Sequence, residues 1–207
     1  MKNLTHKIGR HLACVLLTTV VFLCLNGLNE LAFLRFEQSN GVNWIFLPAG
    51  IRLLATLLFG LAGFEGLLLA GIYLNFHHFE FHSDFRAWSG AFAGAAGPYV
   101  ASLFARHWFF LKPRLEGLTV PRLLFTGVLC GMMSPIFHHA LMWVLTGLMD
   151  WTALLAMIVG DIVGILIVLT IVKGLVALAG RRDPAGDRLR RCMSRLGWKG
   201  ANGDISR

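Results

Sequence analysis

Two charged side chains stand inside apolar runs of this 207-residue chain, Arg52 and Asp161. A charge near the centre of a bilayer is costly and normally faces the protein interior or a water-filled cavity. Counted along a helix from the nearer end of each run, Arg52 lies ~10 Å deep and Asp161 ~15 Å deep. An arginine side chain can close that difference. The pair reads either as the polar floor of a ligand pocket, or charge switch, or as a structural ion pair that fixes helix register.

Histidines form a second constellation. His77 and His78 are followed by Glu80, His82 and Asp84, and His138-His139 lies further along the chain. Imidazole and carboxylate suit zinc, copper or nickel. Alternation would put His78, Glu80, His82 and Asp84 on one face of an extended segment. The same histidines are candidates for proton sensing, and at a headgroup level they also occur without any such role. Neither a cysteine pair nor an HExxH pattern accompanies them. Ser134 lies near His138, but no elbow motif or third partner completes a nucleophile, and no phosphate-binding glycine loop is present. The expectation is a protein without chemistry of its own. Asn26, Asn29 and Glu30 are placed to hydrogen-bond across helices. Trp44, Trp88, Trp108, Trp143 and Trp151 read as an interfacial belt.

The elements that position these residues are apolar and long. Hydrophobic residues make up 56% of the chain and charged residues 14%, against about 25% charged in a soluble domain; mean hydropathy is +0.65. Eighteen or more apolar residues can cross ~30 Å of hydrocarbon as a helix. The pattern predicts an all-α, polytopic transmembrane bundle with spans near 12–34, 45–61, 64–79, 88–110, 122–147 and 152–178. Positions 45–79 offer ~52 Å of helix, short of two full crossings. The second and third segments are therefore two short crossings or a re-entrant hairpin, joined at Gly60–Gly63. The first span reads as uncleaved, because no small-x-small site follows it. Gly90–Gly94 and Gly160–Gly164 are small-xxx-small patterns for close helix contact, and Pro98 and Pro135 predict kinks.

The formal charge of +8 lies mostly beside apolar spans, so it reads as a topology signal and a contact for anionic lipid in the bilayer, not as a nucleic-acid surface. Sixteen Lys and Arg fall in the N-terminal arm, the 106–122 connection, Lys173 and the tail, against Arg35 and Arg86 on the other side. That places both ends in the cytoplasm of a bacterial inner membrane, with 1–180 as the helical domain and 181–207 as a basic, mobile or membrane-lying tail. Cys14, Cys24 and Cys130 lie in apolar runs and Cys192 in the tail, so no disulfide framework is implied.

Asn43-Trp44-Ile45-Phe46-Leu47-Pro48-Ala49-Gly50-Ile51 followed by Leu58-Phe59-Gly60, and Trp151 with Gly160-Asp161-Ile162-Val163-Gly164-Ile165-Leu166, resemble in order and separation two elements of the type-one membrane-associated sensor family. The resemblance covers about 43–178. It implies a multi-span domain that senses a ligand, with Trp44, Pro48, Gly50, Gly160 and Gly164 joining Arg52 and Asp161 around a ligand pocket. The chain departs from the family pattern in having fewer apolar segments, Thr170-Ile171-Val172 in place of a proline, and about 30 residues after the last span in place of an output domain. A stand-alone sensor of this kind implies a separate kinase or cyclase. The alternatives are a small transporter or substrate-binding membrane component of the energy-coupling-factor type, which would bring an ATPase subunit, and a metal-handling permease.

Overall fold

The computed structural model describes residues 2–33, 37–39, 42–77, 84–111, 115 and 117–181. The order is α1 (Lys2–Phe33), a two-stranded antiparallel hairpin of β1 (Glu37–Ser39) and β2 (Val42–Asn43), α2 (Pro48–Phe59), α3 (Leu61–His77), α4 (Asp84–Trp108), α5 (Val120–Thr146) and α6 (Trp151–Arg181). Among the described residues the architecture is all-α with six helices, and three stretches are long and apolar enough to cross a membrane: Leu4–Phe33, Val120–Thr146 and Trp151–Leu178. The basic tail from 182 lies outside the described residues. Met1–Leu169 forms one unit and Thr170–Arg207 a second, whose described part is the helical end of α6.

Small residues set how the helices run past one another. A Cβ on Gly71 would meet Ala91, and Asn75 donates to the Ala87 carbonyl at 2.8 Å, so α3 and α4 are antiparallel. Gly97 lies against the Ser134 backbone and Gly94 against His138, so α4 and α5 are antiparallel too. Gly131 packs on Ile162 and Gly127 on Ile165, which does the same for α5 and α6. In contrast, α1 and α3 run the same way, with His11 on Glu65 at 2.7 Å and Thr19 donating to the Gly66 carbonyl at 3.0 Å. We call the end where α5 joins α6 the upper end. Helix α4 has 25 residues, enough to cross, but it is rich in alanine and glycine. It packs on both α3 and α5 and buries Ala87, Ala91, Ala93, Ala95, Ala101 and Ala105, so close packing replaces the bulky side chains that lipid contact favours. Elsewhere the outward faces carry Leu16, Leu17, Leu28, Leu31, Leu155 and Leu166 in the open.

The second helix is shorter than the sequence implies. Its 12 residues span ~18 Å, and residues 44–47 ahead of it are not helical. Pro48 supplies a ready first turn, since its missing donor is not needed there. The backbone N–H groups just upstream are taken by other elements: Phe46 N–H donates to the Gly160 carbonyl at 3.1 Å and Leu47 N–H to Asn29 Oδ1 at 2.9 Å. Phe46 thus sits about 9 residues below the top of α6, and α2 begins lower still. It runs downward beside α6, with Gly50 under the Val168 side chain and Gly164 against the Phe46 carbonyl. At its lower end Gly60, at φ +58°, turns the chain directly into α3. Arg106 from the last turn of α4 donates to the Leu57 carbonyl there, a cation on a helix C-terminus. Helices α4 and α5 continue through Pro98 and Pro135.

Candidate ligand cavity

Above the start of α2 the bundle holds a cavity of about 820 Å³, within the usual size range of small-molecule sites. Arg86, Asp150, Trp151 and Thr152 line it near the upper end, and Arg52 and Asp161 at depth. Leu67, Leu74, Leu141, Met142 and Met157 supply apolar wall.

The floor is organised around Arg52. It projects from the second turn of α2, and its Nη1 donates to Ser134 Oγ at 3.1 Å and to Asp161 Oδ2 at 3.4 Å. The guanidinium carbon lies 4.8 Å from the Phe46 ring centroid and 5.5 Å from that of Phe22, so two aromatic faces hold it by cation–π attraction. Ser134 is brought within reach because Gly97 lets α4 and α5 meet at backbone distance. Asp161 is 3% exposed and the Arg52 side chain 12%, so both charges are largely removed from solvent. A charge-assisted N–H···O bond is normally 2.7–2.9 Å. The Arg52–Asp161 contact is therefore loose, made through one nitrogen and one oxygen.

Polar groups continue up the walls. Asn75 is anchored through its amide nitrogen, and Asn26 donates to Glu30 Oε1 at 2.7 Å; among the described residues nothing donates to either side-chain carbonyl. His139 Nδ1 bonds the Pro135 carbonyl at 3.1 Å, which assigns the proton to that nitrogen. His138 lies beside Gly94 and lines the cavity with His139. At the rim Asp150 accepts from Thr152 Oγ1 at 2.6 Å, Thr152 N–H at 3.0 Å and Ala153 N–H at 3.0 Å. The Thr152 hydroxyl first, then the Ala153 amide, hold its carboxyl below the usual range.

No protein-family model, curated protein or solved structure matches the chain.

Of the seven residues expected around a pocket, Arg52 and Asp161 line the cavity. The other five do not line it. Pro48 starts α2, Gly50 and Gly164 pack α2 and its lead-in segment on α6, Gly160 accepts from Phe46, and Trp44 stands half-exposed ahead of that segment. Pro48, Gly50, Gly160 and Gly164 together seat α2 and its lead-in segment on α6. The histidine group separates likewise. His77 lies tilted against Tyr73 at the end of α3, with ring centroids 5.1 Å apart, while His138 and His139 line the cavity. Asp84 opens α4. His78, Glu80 and His82 lie outside the described residues. Among the described residues no three metal-ligating side chains converge. The sequence reading did not find Phe22, Phe46, Asn75 or the Ser134–Arg52 contact. Of these only Asn75 carried a signal, as a lone amide in an apolar run.

Proposed function

We propose that this chain is a sensor-like inner-membrane module that binds a small ligand in the cavity above Arg52 and Asp161 and performs no chemistry of its own. The observation that carries the reading is a cavity of about 820 Å³ whose deepest wall holds a largely desolvated arginine with spare hydrogen-bonding capacity. Six crossings with both ends cytoplasmic accord with the alternating helix directions and with the sixteen-to-two Lys and Arg bias. In that orientation the upper end faces outward, so the cavity takes ligand from outside the cell. The reading extends the family resemblance and calls for a kinase or cyclase to carry the output.

One observation favours a second reading. Helix α2 begins part-way down the bundle after a non-helical segment, the kind of interrupted span that lines substrate sites in transporters. A substrate-binding transport component would co-purify with an ATPase, a sensor with a kinase or cyclase.

Two measurements test the proposal. Small molecules released from protein purified in mild detergent are identified by mass spectrometry, and one stoichiometric species is expected. Reporter fusions at residues 40 and 83 are expected to read as external, and those at 63, 115 and 195 as cytoplasmic. An external signal at 195 overturns the six-crossing arrangement.

A further inference from the structure

The floor of the cavity is built as an ion pair with both halves under-used. Arg52 uses only Nη1; among the described residues Nε and Nη2 have no hydrogen-bond partner, although the guanidinium carbon lies over the rings of both Phe46 and Phe22. Asp161 uses only Oδ2, and among the described residues nothing donates to Oδ1. Both residues line the same cavity. Among the described residues, the charged side chains on its walls are Arg52, Arg86, Asp150 and Asp161, two of each sign.

We propose that the cavity takes a small zwitterion, an α-amino acid with an apolar side chain, whose carboxylate docks on Arg52 and whose ammonium docks on Asp161. The inference rests on the ligand-binding reading above and names the ligand class. Its physical basis is charge balance in a poorly solvated space. A lone anion on Arg52 would leave two negative groups facing one positive, and a lone cation on Asp161 the reverse; an uncompensated charge away from water is expensive. A zwitterion exchanges one loose contact for two close ones at constant net charge. Planar guanidinium receives a carboxylate through two parallel N–H···O bonds. Asn26 and Asn75 line the same space, and their amide oxygens are the acceptors they can offer to ammonium protons. Leu67, Leu74, Met142 and Met157 then enclose a side chain without polar atoms.

The test uses the full chain in detergent and follows thermal unfolding by tryptophan fluorescence. Probes come in matched sets: L-leucine with 4-methylpentanoate and 3-methylbutylamine, and L-phenylalanine with 3-phenylpropanoate and 2-phenylethylamine; L-isoleucine, L-valine and L-methionine complete the series. At least one amino acid is expected to raise the midpoint by about 5 °C near saturation, with its des-amino and decarboxylated analogues shifting it by less than a fifth of that. Asp161→Asn is expected to reverse the order, so that the carboxylate alone outperforms the amino acid. If that variant does not fold, the wild-type series still decides. An equal shift from the carboxylate alone overturns the zwitterion and leaves a ligand cavity standing. If no member of the series shifts the midpoint, the zwitterion falls; if in addition no small molecule is released from the purified protein, the ligand-binding reading falls with it.

Discussion

Arg52 and Asp161 are 109 positions apart in sequence and 3.4 Å apart in space, joined by a single nitrogen–oxygen contact at the floor of the cavity. Asp161 is almost wholly enclosed. Such pairs contribute little net stability against a well-packed apolar alternative, yet breaking one from a single side is expensive because the survivor is left unpaired.

Arg52→Ala and Asp161→Ala are each expected to cost about 3–5 kcal/mol, and the double substitution clearly less than their sum. Equilibrium unfolding of the four proteins in mixed micelles measures the coupling. Additive losses would show that the contact carries no energy, and Ser134 would then be the partner that matters to Arg52.

Gly164 faces the carbonyl of Phe46, with no room between them for a methyl group. Gly164→Ala is expected to push residues 46–47 off α6 at a cost of about 1–3 kcal/mol, the usual penalty of overpacking. The Phe46 amide, which bonds to Gly160, would lose its protection from hydrogen exchange. Normal protection at Phe46 in this variant would mean that α6 yields instead.

Arg106→Ala removes the cation that caps α2 at the Leu57 carbonyl. The expected loss is about 1–2 kcal/mol, with faster exchange confined to the turn at Gly60. Arg106→Lys is expected to recover part of it. Equal exchange across α4 and the turn would assign the loss to α4 packing.

Asp150 stabilises the first turn of α6 in its ionised form, and its folded-state pKa is depressed by the Thr152 hydroxyl and the Ala153 amide. Its contribution is therefore complete above the ordinary carboxylate range and is lost as pH falls through the lower folded value. Asp150→Ala should melt below the wild type at neutral pH, and the two curves should converge in acid. A gap that persists unchanged below pH 3 would point to packing.

Much of the bundle was legible because its signals are one-dimensional. Helices α4, α5 and α6 match the long apolar runs to within about four residues, and α1 covers its run but begins earlier, at Lys2; a charge inside an apolar run is conspicuous, which is how Arg52 and Asp161 stood out. The glycines were visible as close-contact residues, but what each one touches was not. Gly94 and Gly97 meet α5, whereas Gly164 meets the non-helical chain ahead of α2. Pro48 marked where α2 starts, yet the apolar residues on both sides carried the expected span back to 45. Phe22 and Phe46 could not be told from lipid-facing aromatics, since only the folded arrangement brings them to a guanidinium. The β1–β2 hairpin has no alternating pattern long enough to register.

The early start of α2's partner and the late start of α2 itself have a geometric consequence. A full crossing needs about 20 helical residues, and α2 has 12. Helix wound on ahead of Pro48 would grow into the space above the start of α2, so the depth of the hollow is set by where one proline allows winding to begin. Each residue wound on ahead of Pro48 would raise the floor by ~1.5 Å. A single added turn would lift it by about a third of the distance from Asp161 to the rim, so helix length acts as a ruler for how large a guest the bundle admits.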